Sequence, residues 1–459
     1  MIELEEPVNF NNFDPSYIPF QDRVIDDIYT KFDFSKGYYT VFNSGSIGSA
    51  KTLLGAHVAV RHCLENRRAR CLLGRRSLQD LRDTVFTDIV EHIEDSTVKS
   101  KIKSIVWNSP KIEFTNGSEI ICRTWGDKKP KKVRSLKLSM ALIEELTENE
   151  NPEDEQVINE IVGRLGRLPH VRQNILFINT NPDEPDHWAY ERFIAKNIER
   201  GGVYYSLTKD NPFLPDWYVD NLMEEYDPLM IRRMLYGEWI SIISQNVYYM
   251  YKKENNYRDF SYEINPRLPI HLSWDFNIGD GKPLSMVLFQ YHPSDRTFHF
   301  FDEVVVEGMR TRQSCEEIDN KGYFSGKYRF VINGDRNGKN KDTRNNKSDY
   351  DIIEKYLSNH KNNLMFTKQV PSRNPEVRKR HNTVNGLLEN AKGEHRLFVY
   401  KGCEFAEKAL RLTKLKKNAG IVEDDSKGQP HQHIGTAMGY GIMSTLSEVG
   451  ATPQGTRQL

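Results

Sequence analysis

Apolar residues in the first half of the chain fall into short runs separated by amphipathic stretches. The runs predict buried strands, and stretches with an apolar residue every three or four positions predict helices. Ile112–Thr115 and Glu119–Arg123 alternate around Asn116-Gly117, which predicts a two-residue hairpin. Strands that alternate with helices indicate an α/β fold with a mainly parallel sheet. We expect strands at Tyr38–Asn43, Arg70–Leu73, Ser139–Ile143 and Asn174–Asn179, and helices at Lys51–Glu65 and Leu78–Ile93.

A second strand-rich block begins near Ile270. We therefore expect two α/β domains, residues 1–240 and 241–446, with a helical connector at about 210–240 and a flexible tail at 447–459. The apolar runs predict strands at Ile270–Asp275, Leu284–Tyr291, Thr297–Val306 and Tyr328–Asn333, and helices at Asp349–Leu357, Pro375–Asn390 and Gly402–Lys417.

Composition narrows the class of protein. The 459 residues agree with two or three domains, and a hydrophobic fraction of 38% is enough for packed cores. Lys and Arg number 64 and so do Asp and Glu, so any DNA binding must come from local sites rather than from a global positive charge. The five scattered cysteines are a poor disulfide framework and favour a reducing compartment. No apolar run reaches the roughly 18 residues that span a membrane.

A loop of small residues lies between the first predicted strand and the first long helix. Such a loop lets backbone N–H groups surround phosphates at the positive end of a helix. We expect Lys51 to reach the phosphates and the Thr52 hydroxyl to hold Mg²⁺. Ala50 replaces the consensus glycine, and an ordinary helix-capping turn is the alternative interpretation. The predicted ATP-binding residues here are Gly45, Ser46, Gly48, Ser49, Ala50, Lys51 and Thr52, with Ile47 between them.

A later strand, Met140–Ile143, ends in two carboxylates, Glu144 and Glu145. We expect Glu144 to lie on the Mg²⁺ side and Glu145 to be the base that polarises the attacking water. Acid pairs after a strand also occur as helix-start charges. The loop and the acid strand, in this order, favour ATP hydrolysis.

Together these motifs resemble the large subunit of tailed-bacteriophage terminases, a DNA-packaging ATPase and nuclease. The resemblance covers about residues 15–445 and implies an N-terminal P-loop ATPase and a C-terminal RNase H-like nuclease domain. It also implies that Gln21 bonds the adenine edge, and that Asn179, Thr180 and Asn181 couple nucleotide state to movement. The further residues that carry it are Pro19-Phe20-Gln21, Arg75-Arg76, Asn179-Thr180-Asn181-Pro182, His187-Trp188, Asp210-Asn211-Pro212 and Gly237-Glu238-Trp239.

The same resemblance implies an arginine finger, a side chain that stabilises charge on the transferring phosphoryl group. Some members of the family carry it inside the phosphate loop, where this chain has Ile47. Arg76, Arg75 and Arg134 are the candidates, and each could equally be a solvated surface arginine.

Two acids end strands of the second block, Asp275 and Asp335. Acids at the ends of neighbouring strands can hold a pair of Mg²⁺ or Mn²⁺ ions about 4 Å apart around a phosphodiester. The alternative is that both merely start turns. Their place after two apolar strands, downstream of the ATPase motifs, favours a nuclease metal site.

The third acid of that site departs from the family pattern. The family has His-x-x-Asp-Ala-x-x-Tyr on its last helix, whereas this chain has Thr436 where the aspartate is expected, between His433 and Tyr440. A hydroxyl is a weak substitute for a carboxylate ligand. The predicted replacements are Asp425, Asp424, His433 and Glu303. We expect a nuclease that is retained but conditional.

Two basic runs are candidate contacts for DNA phosphates, although such runs are more often solvated surface. The residues are Lys128, Lys129, Lys131 and Lys132, followed by Arg134, in the first run, and Arg373, Arg378, Lys379 and Arg380 in the second.

The resemblance thus implies an ATP-driven, double-stranded DNA translocase with metal-dependent endonuclease activity. Its implied partners are double-stranded DNA, the procapsid portal protein, a terminase small subunit and further copies of this chain in a pentameric ring, with no membrane involved. Its implied location is the cytoplasm of an infected bacterium, transiently on the procapsid and not in the mature virion. A packaging ATPase with an inactive nuclease, because of Thr436, is one alternative. A non-catalytic assembly scaffold with degenerate sites, suggested by Ala50 and Ile47, is the other.

Overall fold

The computed structural model describes residues 13–94, 97–125, 133–148, 155–241, 246–277, 282–341, 346–415, 423 and 431–448. The chain divides into two compact units. The first contains the described residues up to Asp216 and the segment Arg232–Ile242. The second contains Trp217–Ile231 and the described residues from position 246 onward. Half of the helical connector, which we had assigned to the first domain, therefore packs within the second unit.

The first unit is built on an eight-stranded sheet of order β3-β4-β5-β2-β6-β7-β1-β8. All pairs from β5 to β8 are parallel, and β3 and β4 add an antiparallel edge. Its strands are β1 (Tyr39–Gly45), β2 (Arg70–Arg75), β3 (Ile102–Val106), β4 (Lys111–Phe114), β5 (Glu119–Thr124), β6 (Met140–Ile143), β7 (Ile175–Thr180) and β8 (Gly201–Ser206). The predicted α/β class with a mainly parallel sheet is confirmed.

Helices cover both faces of this sheet, since separate clusters of buried apolar side chains lie against its two sides. Leu78–Glu94 forms α3 and α4 with a π-helical turn between them, where we had predicted one helix. The helices are α1 (Pro19–Asp26), α2 (Lys51–Glu65), α3 (Leu78–Leu81), α4 (Thr87–Glu94), α5 (Glu155–Val162) and α6 (Trp188–Tyr190).

The second unit has a seven-stranded mixed sheet of order β14-β13-β10-β11-β12-β15-β9. β10, β11 and β12 form an antiparallel meander, and β13 returns parallel to β10 on its other side. This agrees with the expected RNase H-like arrangement. The strands are β9 (Tyr257–Arg258), β10 (Ile270–Asp275), β11 (Leu284–His292), β12 (Thr297–Val306), β13 (Arg329–Gly334), β14 (Met365–Lys368) and β15 (Leu397–Tyr400).

Helices again lie on both faces, and α14 packs across β10, β11 and β13. α14 is buried on nearly every side, with 15 buried residues among its 18, so it lacks the amphipathic period that marks a surface helix. The helices are α7 (Trp217–Glu225), α8 (Pro228–Met234), α9 (Lys253–Asn256), α10 (Thr311–Asn320), α11 (Asp349–Ser358), α12 (Val377–Leu388), α13 (Glu404–Leu412) and α14 (His431–Glu448). The residues of α8 up to Ile231 belong to the second unit, and its last three residues belong to the first.

Two further observations concern the chain as a whole. All five cysteines are buried free thiols, as expected without a disulfide framework. Among the described residues, no helix combines the length and apolarity needed to cross a membrane.

Candidate active sites

The phosphate loop connects the end of β1 to the start of α2. Ala50 has φ of 61° and Gly48 has φ of 71°, so the loop turns through the left-handed region twice. This explains the consensus glycine at position 50, because an L-residue pays roughly 1–2 kcal/mol for that conformation. Ala50 offers no side-chain cap to the first N–H groups of α2. The helix start therefore keeps the donors that an anion would use.

Side chains from the segment after β8 hold the loop in this shape. Asn211 donates its side-chain amide to the Gly48 carbonyl at 2.7 Å, and the Thr208 hydroxyl donates to the Ile47 carbonyl at 2.6 Å. The Thr208 backbone N–H also donates to the Ser46 hydroxyl at 2.6 Å. A Cβ at Gly45 would come within 2.0 Å of the Ser206 hydroxyl oxygen. The loop shape thus depends on residues about 160 positions later in the chain.

Lys51 is buried, and its ammonium group is held by the predicted coupling segment. Its Nζ donates to the Asn181 Oδ1 at 2.8 Å and to the Ser46 carbonyl at 3.3 Å. The Asn181 side-chain amide in turn donates to the Glu145 Oε2 at 2.9 Å. One asparagine therefore connects the loop lysine with the predicted base. Glu145 has φ of 49°, a strained conformation of the kind that recurs at functional sites.

Glu144 contacts both the loop residue Thr52 and the predicted coupling residue Asn179. The Thr52 hydroxyl donates to its Oε2 at 3.4 Å, and the Asn179 amide donates to its Oε1 at 2.7 Å. Burial raises the pKa of Glu144 to about 7, with the neighbouring Glu145 adding to the shift against the lowering effect of Asn179. Thr52 and Glu144 are the oxygen groups that would hold the Mg²⁺ of a bound nucleotide, and oxygen ligands fit that ion.

Gln21 reaches the same loop from the start of the chain. Its side chain is buried, and its amide donates to the Ala50 carbonyl at 3.0 Å. Gln21 thus contacts the residue before the loop lysine, and its predicted contact with the adenine edge stays a prediction.

The three arginine-finger candidates differ in their surroundings. Arg75 binds the Glu148 carboxylate with two nitrogens, at 3.1 Å and 2.5 Å, and its charge also interacts with Glu145 and Glu144. Arg76 is exposed and donates to the Glu148 carbonyl, whereas Arg134 is exposed and pairs with Glu160. Arg75 is therefore the candidate that shares an electrostatic environment with the two predicted catalytic acids.

In the second unit, Asp275 is the last residue of β10, and Asp335 directly follows β13, the strand that pairs with β10. Trp274 of β10 is in register with Gly334 of β13, so the two aspartates leave the sheet side by side. Asp275 Oδ2 lies 3.0 Å from the His433 Nδ1 and accepts from the Asn277 amide at 2.8 Å. Asp335 accepts from the Asn374 amide at 2.6 Å and from the Asn337 backbone N–H. Sequence reasoning missed Asn277 and Asn374, which orient these carboxylates.

Of the predicted third ligands, His433 is the one that contacts Asp275. Both Glu303 oxygens accept backbone N–H groups at the start of α13, from Phe405 at 2.6 Å and Ala406 at 2.8 Å. We therefore withdraw Glu303 as a metal ligand, because it caps a helix. Asp424 and Asp425 lie outside the described residues.

A carboxylate that the sequence did not single out lies beside Thr436. Glu423 is buried, and its Oε2 accepts the Thr436 hydroxyl at 3.3 Å. It also binds Arg380, His381 and Gln432. No sequence signal marks it, since the position is fixed by the packing of α12 against α14.

Within the part of the chain that the structure describes, no three His, Cys, Asp or Glu side chains group closely enough to hold a metal ion by themselves. Asp275 and Asp335 carry oxygen donors of the kind that bind Mn²⁺ or Mg²⁺, and His433 contacts Asp275, but these three side chains do not form a preformed ligand set. An ion held there would complete its shell with water or a DNA phosphate oxygen.

The second basic run is only partly available for DNA. Arg373 and Lys379 are exposed and Arg378 is partly exposed, whereas Arg380 is buried in an ion pair with Glu423. We therefore withdraw Arg380 as a backbone contact, because its charge is directed into the protein. Lys128, Lys129, Lys131 and Lys132 lie outside the described residues.

Comparison with known proteins agrees with the resemblance described from the sequence. Residues 38–238 match a protein family described as "Phage terminase large subunit", which confirms the resemblance found in the sequence. No curated protein matches the chain. The large terminase of the thermophilic bacteriophage D6E has the same fold, with TM-score 0.67 and 14% identity over 94% of this chain and 99% of that chain.

The D6E protein has also been solved with nucleotides. Its complex with ADP matches with TM-score 0.67 and 15% identity over 94% of this chain and 99% of that chain. Its complex with ATP-gamma-S matches with TM-score 0.65 and 15% identity over 93% and 98%.

Proposed function

We propose, from the match of residues 38–238 to the phage terminase large-subunit family, that this chain is an ATP-hydrolysing motor that translocates double-stranded DNA into a procapsid. The observation that carries the proposal is the chain of contacts from Lys51 through Asn181 to Glu145. It joins the phosphate loop, the coupling segment and the predicted base within two hydrogen bonds. The nucleotide complexes of the D6E relative support the same assignment.

The proposed ATPase chemistry assigns one task to each side chain. The loop N–H groups and Lys51 would bind the phosphates, and Thr52 and Glu144 would hold Mg²⁺, which would supply charge neutralisation to the phosphates. Glu145 orients a water molecule and draws its proton as the water oxygen bonds to the γ-phosphorus. The bond from that phosphorus to the β–γ bridging oxygen breaks, and ADP and inorganic phosphate result. Arg75 is the proposed stabiliser of the transferring phosphoryl group.

The proposed coupling follows from the position of Asn181. When Lys51 turns to a γ-phosphate, it must leave the Asn181 Oδ1 that it now contacts. Asn181 directly follows β7. The hydroxyl of Thr180, the last residue of β7, lies 2.9 Å from the hydroxyl of Thr147, which comes after the acid strand β6. Nucleotide binding would therefore rearrange the Asn179–Asn181 segment, and repeated rearrangement would move the DNA.

ATP turnover by the full-length chain tests this function, measured with and without double-stranded DNA. We expect Lys51→Ala and Glu145→Gln to reduce turnover at least about 100-fold, with ATP binding retained in Glu145→Gln. Lys196→Ala, an exposed lysine of the same unit, is the matched control. Full activity in Lys51→Ala would refute the site. Absence of turnover in the unmodified chain would favour the non-catalytic scaffold.

We further propose a metal-dependent endonuclease that cuts concatemeric DNA. Asp275 and Asp335, with His433 beside Asp275, would bind divalent metal together with DNA, whose phosphate oxygens would complete the ligand set and be polarised by the metal. Nicking of plasmid DNA with Mn²⁺ tests it, with Asp275→Ala as the inactive variant and the exposed Asp259→Ala as its control. No nicking at any Mn²⁺ concentration would favour the alternative of a packaging ATPase with an inactive nuclease.

The family assignment also supports the proposed partners and place of action. These are double-stranded DNA, the portal protein, a terminase small subunit and further copies of this chain in a ring of five on the portal. The proposed place is the cytoplasm of the infected host, transiently on the procapsid. Co-sedimentation of the purified chain with procapsids, with and without portal, measures the portal interaction directly.

A further inference from the structure

Three fully buried polar side chains lie on neighbouring strands of the first sheet, β8, β1 and β7. They are Ser206, Asn43 and Asn179. Asn43 and Asn179 are paired in the parallel register of β1 with β7, so their side chains leave the same face of the sheet. Buried groups of this kind are costly unless they are hydrogen-bonded, and the proposed ATPase chemistry assigns no task to Asn43 or Ser206.

Hydrogen bonds join these side chains into one path from the phosphate loop to Glu144. The Ser49 hydroxyl of the loop lies 2.9 Å from the Ser206 hydroxyl, which donates to the Asn43 Oδ1 at 3.2 Å. The Asn43 amide donates to the Asn179 Oδ1 at 3.1 Å. The Asn179 amide then donates to the Glu144 Oε1 at 2.7 Å. Asn43 is therefore the middle member of a continuous path that ends on the acid after β6.

A backbone carbonyl at the start of α2 fixes the direction of these hydrogen bonds. The Asn179 amide also donates to the Lys51 carbonyl at 3.0 Å, and a carbonyl can only accept. Asn179 must therefore turn its NH₂ group towards Lys51 and its oxygen towards Asn43. Asn43 must then donate, so its own oxygen accepts the Ser206 hydroxyl. Every donor along the path consequently points towards Glu144.

Helix α2 packs closely against the Asn179 amide. A Cβ at Gly55 would come within 2.8 Å of the Asn179 Nδ2 and 3.3 Å of the Glu144 Oε1. The amide thus has little room to move, and Asn43 holds its oxygen. The Glu144 carboxylate has one oxygen occupied by Asn179 and presents the other, Oε2, to the Thr52 hydroxyl at 3.4 Å.

We propose that Asn43 is a positioning residue of the ATPase, which fixes the Asn179 amide and thereby keeps the Glu144 Oε2 turned towards Thr52. This inference rests on the proposed ATPase function, in which Thr52 and Glu144 would hold Mg²⁺. Asn43 acts through Asn179, because its amide bonds that side chain and not the carboxylate. An amide suits position 43 because the side chain there accepts from one neighbour and donates to the other.

Nucleotide affinity with and without Mg²⁺ tests this role without relying on turnover. Isothermal titration of the full-length chain with a non-hydrolysable ATP analogue gives one Kd in Mg²⁺ and one in EDTA, and their ratio is the metal-dependent gain in affinity. Asn43→Leu keeps the branched shape but has no donor. We expect it to lower the gain about tenfold, because the Asn179 amide loses its fixed hydrogen bond to a carboxylate. Its Kd in EDTA should stay close to that of the unmodified chain.

Ser44→Ala is the matched control, because it removes a 2.8 Å hydrogen bond with Trp239 from the next residue of β1. It should leave the metal-dependent gain unchanged. Ser206→Ala is a smaller change on the path itself, since it removes the donor to the Asn43 oxygen and leaves the Asn43 amide in place. We expect it to lower the gain about threefold, because one neutral hydrogen bond is lost.

The outcomes separate this inference from the function on which it rests. An unchanged gain in a folded Asn43→Leu, or an equal loss of affinity in Mg²⁺ and in EDTA, would overturn the positioning role and leave the ATPase intact. If thermal melting shows that Asn43→Leu does not fold, the same two results in Ser206→Ala decide the matter. No binding of the analogue by the unmodified chain would refute the proposed nucleotide site and this inference with it. Binding that Mg²⁺ does not strengthen would refute the metal assignment of Thr52 and Glu144, and again this inference with it.

Discussion

The Lys51 ammonium group donates to the Asn181 side-chain oxygen at 2.8 Å, so the predicted phosphate-binding lysine is held by the residue that also contacts Glu145. An ATP phosphate must compete with Asn181 for this lysine. The Asn181 side chain is therefore in contact with both the lysine that would bind the nucleotide and the predicted base, Glu145.

Asn181→Asp should weaken ATP binding. A carboxylate at this position would form a buried ion pair with Lys51 and would repel Glu145, so a phosphate would have to displace a charged competitor. We expect KM for ATP to rise at least about tenfold, which corresponds to about 1.4 kcal/mol, with a fall in kcat. Steady-state ATPase kinetics measure both constants, and Asn108→Asp in an exposed turn is the control. An unchanged KM would mean that Lys51 does not use this contact before ATP binds.

Asn211→Ala should loosen the phosphate loop without touching the nucleotide. The variant removes the 2.7 Å hydrogen bond to the Gly48 carbonyl, which stabilises a glycine with positive φ. One such bond contributes about 1 kcal/mol, so we expect the Kd for ATP to rise about fivefold. Isothermal titration with a non-hydrolysable ATP analogue measures it, against Asn108→Ala. Equal affinities would show that the loop keeps its shape without Asn211.

Glu303→Gln should change the pH dependence of stability and leave Mn²⁺ binding intact. Burial raises the pKa of Glu303 to about 7 from its ordinary 4.5, against the lowering effect of the two α13 N–H groups. The folded protein therefore binds a proton more tightly than the unfolded chain, and its stability falls as pH rises from about 4.5 to about 7.

The glutamine resembles the protonated acid, so the variant should gain stability relative to the unmodified chain across that interval. Thermal melting at pH 5 and pH 8 measures the difference, and we expect a relative shift of a few degrees. Glu307→Gln, on the same unit, is the control. A parallel pH dependence in Glu303→Gln would contradict the assignment, and loss of Mn²⁺ binding would restore Glu303 as a ligand.

Arg373→Ala with Lys379→Ala should weaken DNA binding by a sequence-independent amount. Both side chains are exposed, and each phosphate contact contributes roughly 0.9 to the slope of log K against log salt. We expect the slope to fall by up to about 2 in the double variant. Fluorescence anisotropy of duplexes with two unrelated sequences, at several salt concentrations, measures it. Lys327→Ala is the exposed control, and an unchanged slope would remove this run from the DNA path.

Most strands could be predicted because each is a short, local apolar run. The predicted strands Ile270–Asp275 and Thr297–Val306 and the predicted helix Lys51–Glu65 agree with the structure at both ends. β8 was missed because it begins with two glycines and has little apolar sequence, yet it pairs in parallel with β1 along six residues. For α14 the terminase resemblance implied a last helix around His433–Tyr440, whereas apolar periodicity did not predict it, because a helix buried on almost all sides carries no amphipathic period.

The sequence by itself determined most strands of both sheets and singled out the candidate site residues whose signal is local: the phosphate loop, the acids after β6, and the aspartates at the ends of β10 and β13. Each of these candidates is marked by its neighbours in the chain, so spacing and residue type are enough to pick it out from the sequence. Only the tertiary structure decided that Asn211 supports the loop, that Glu303 caps a helix, and that Arg380 and Glu423 neutralise one another beside Thr436. These relationships join residues from 13 to more than 160 positions apart, and the packing of helices and strands, rather than any local pattern, brings their side chains within hydrogen-bond distance.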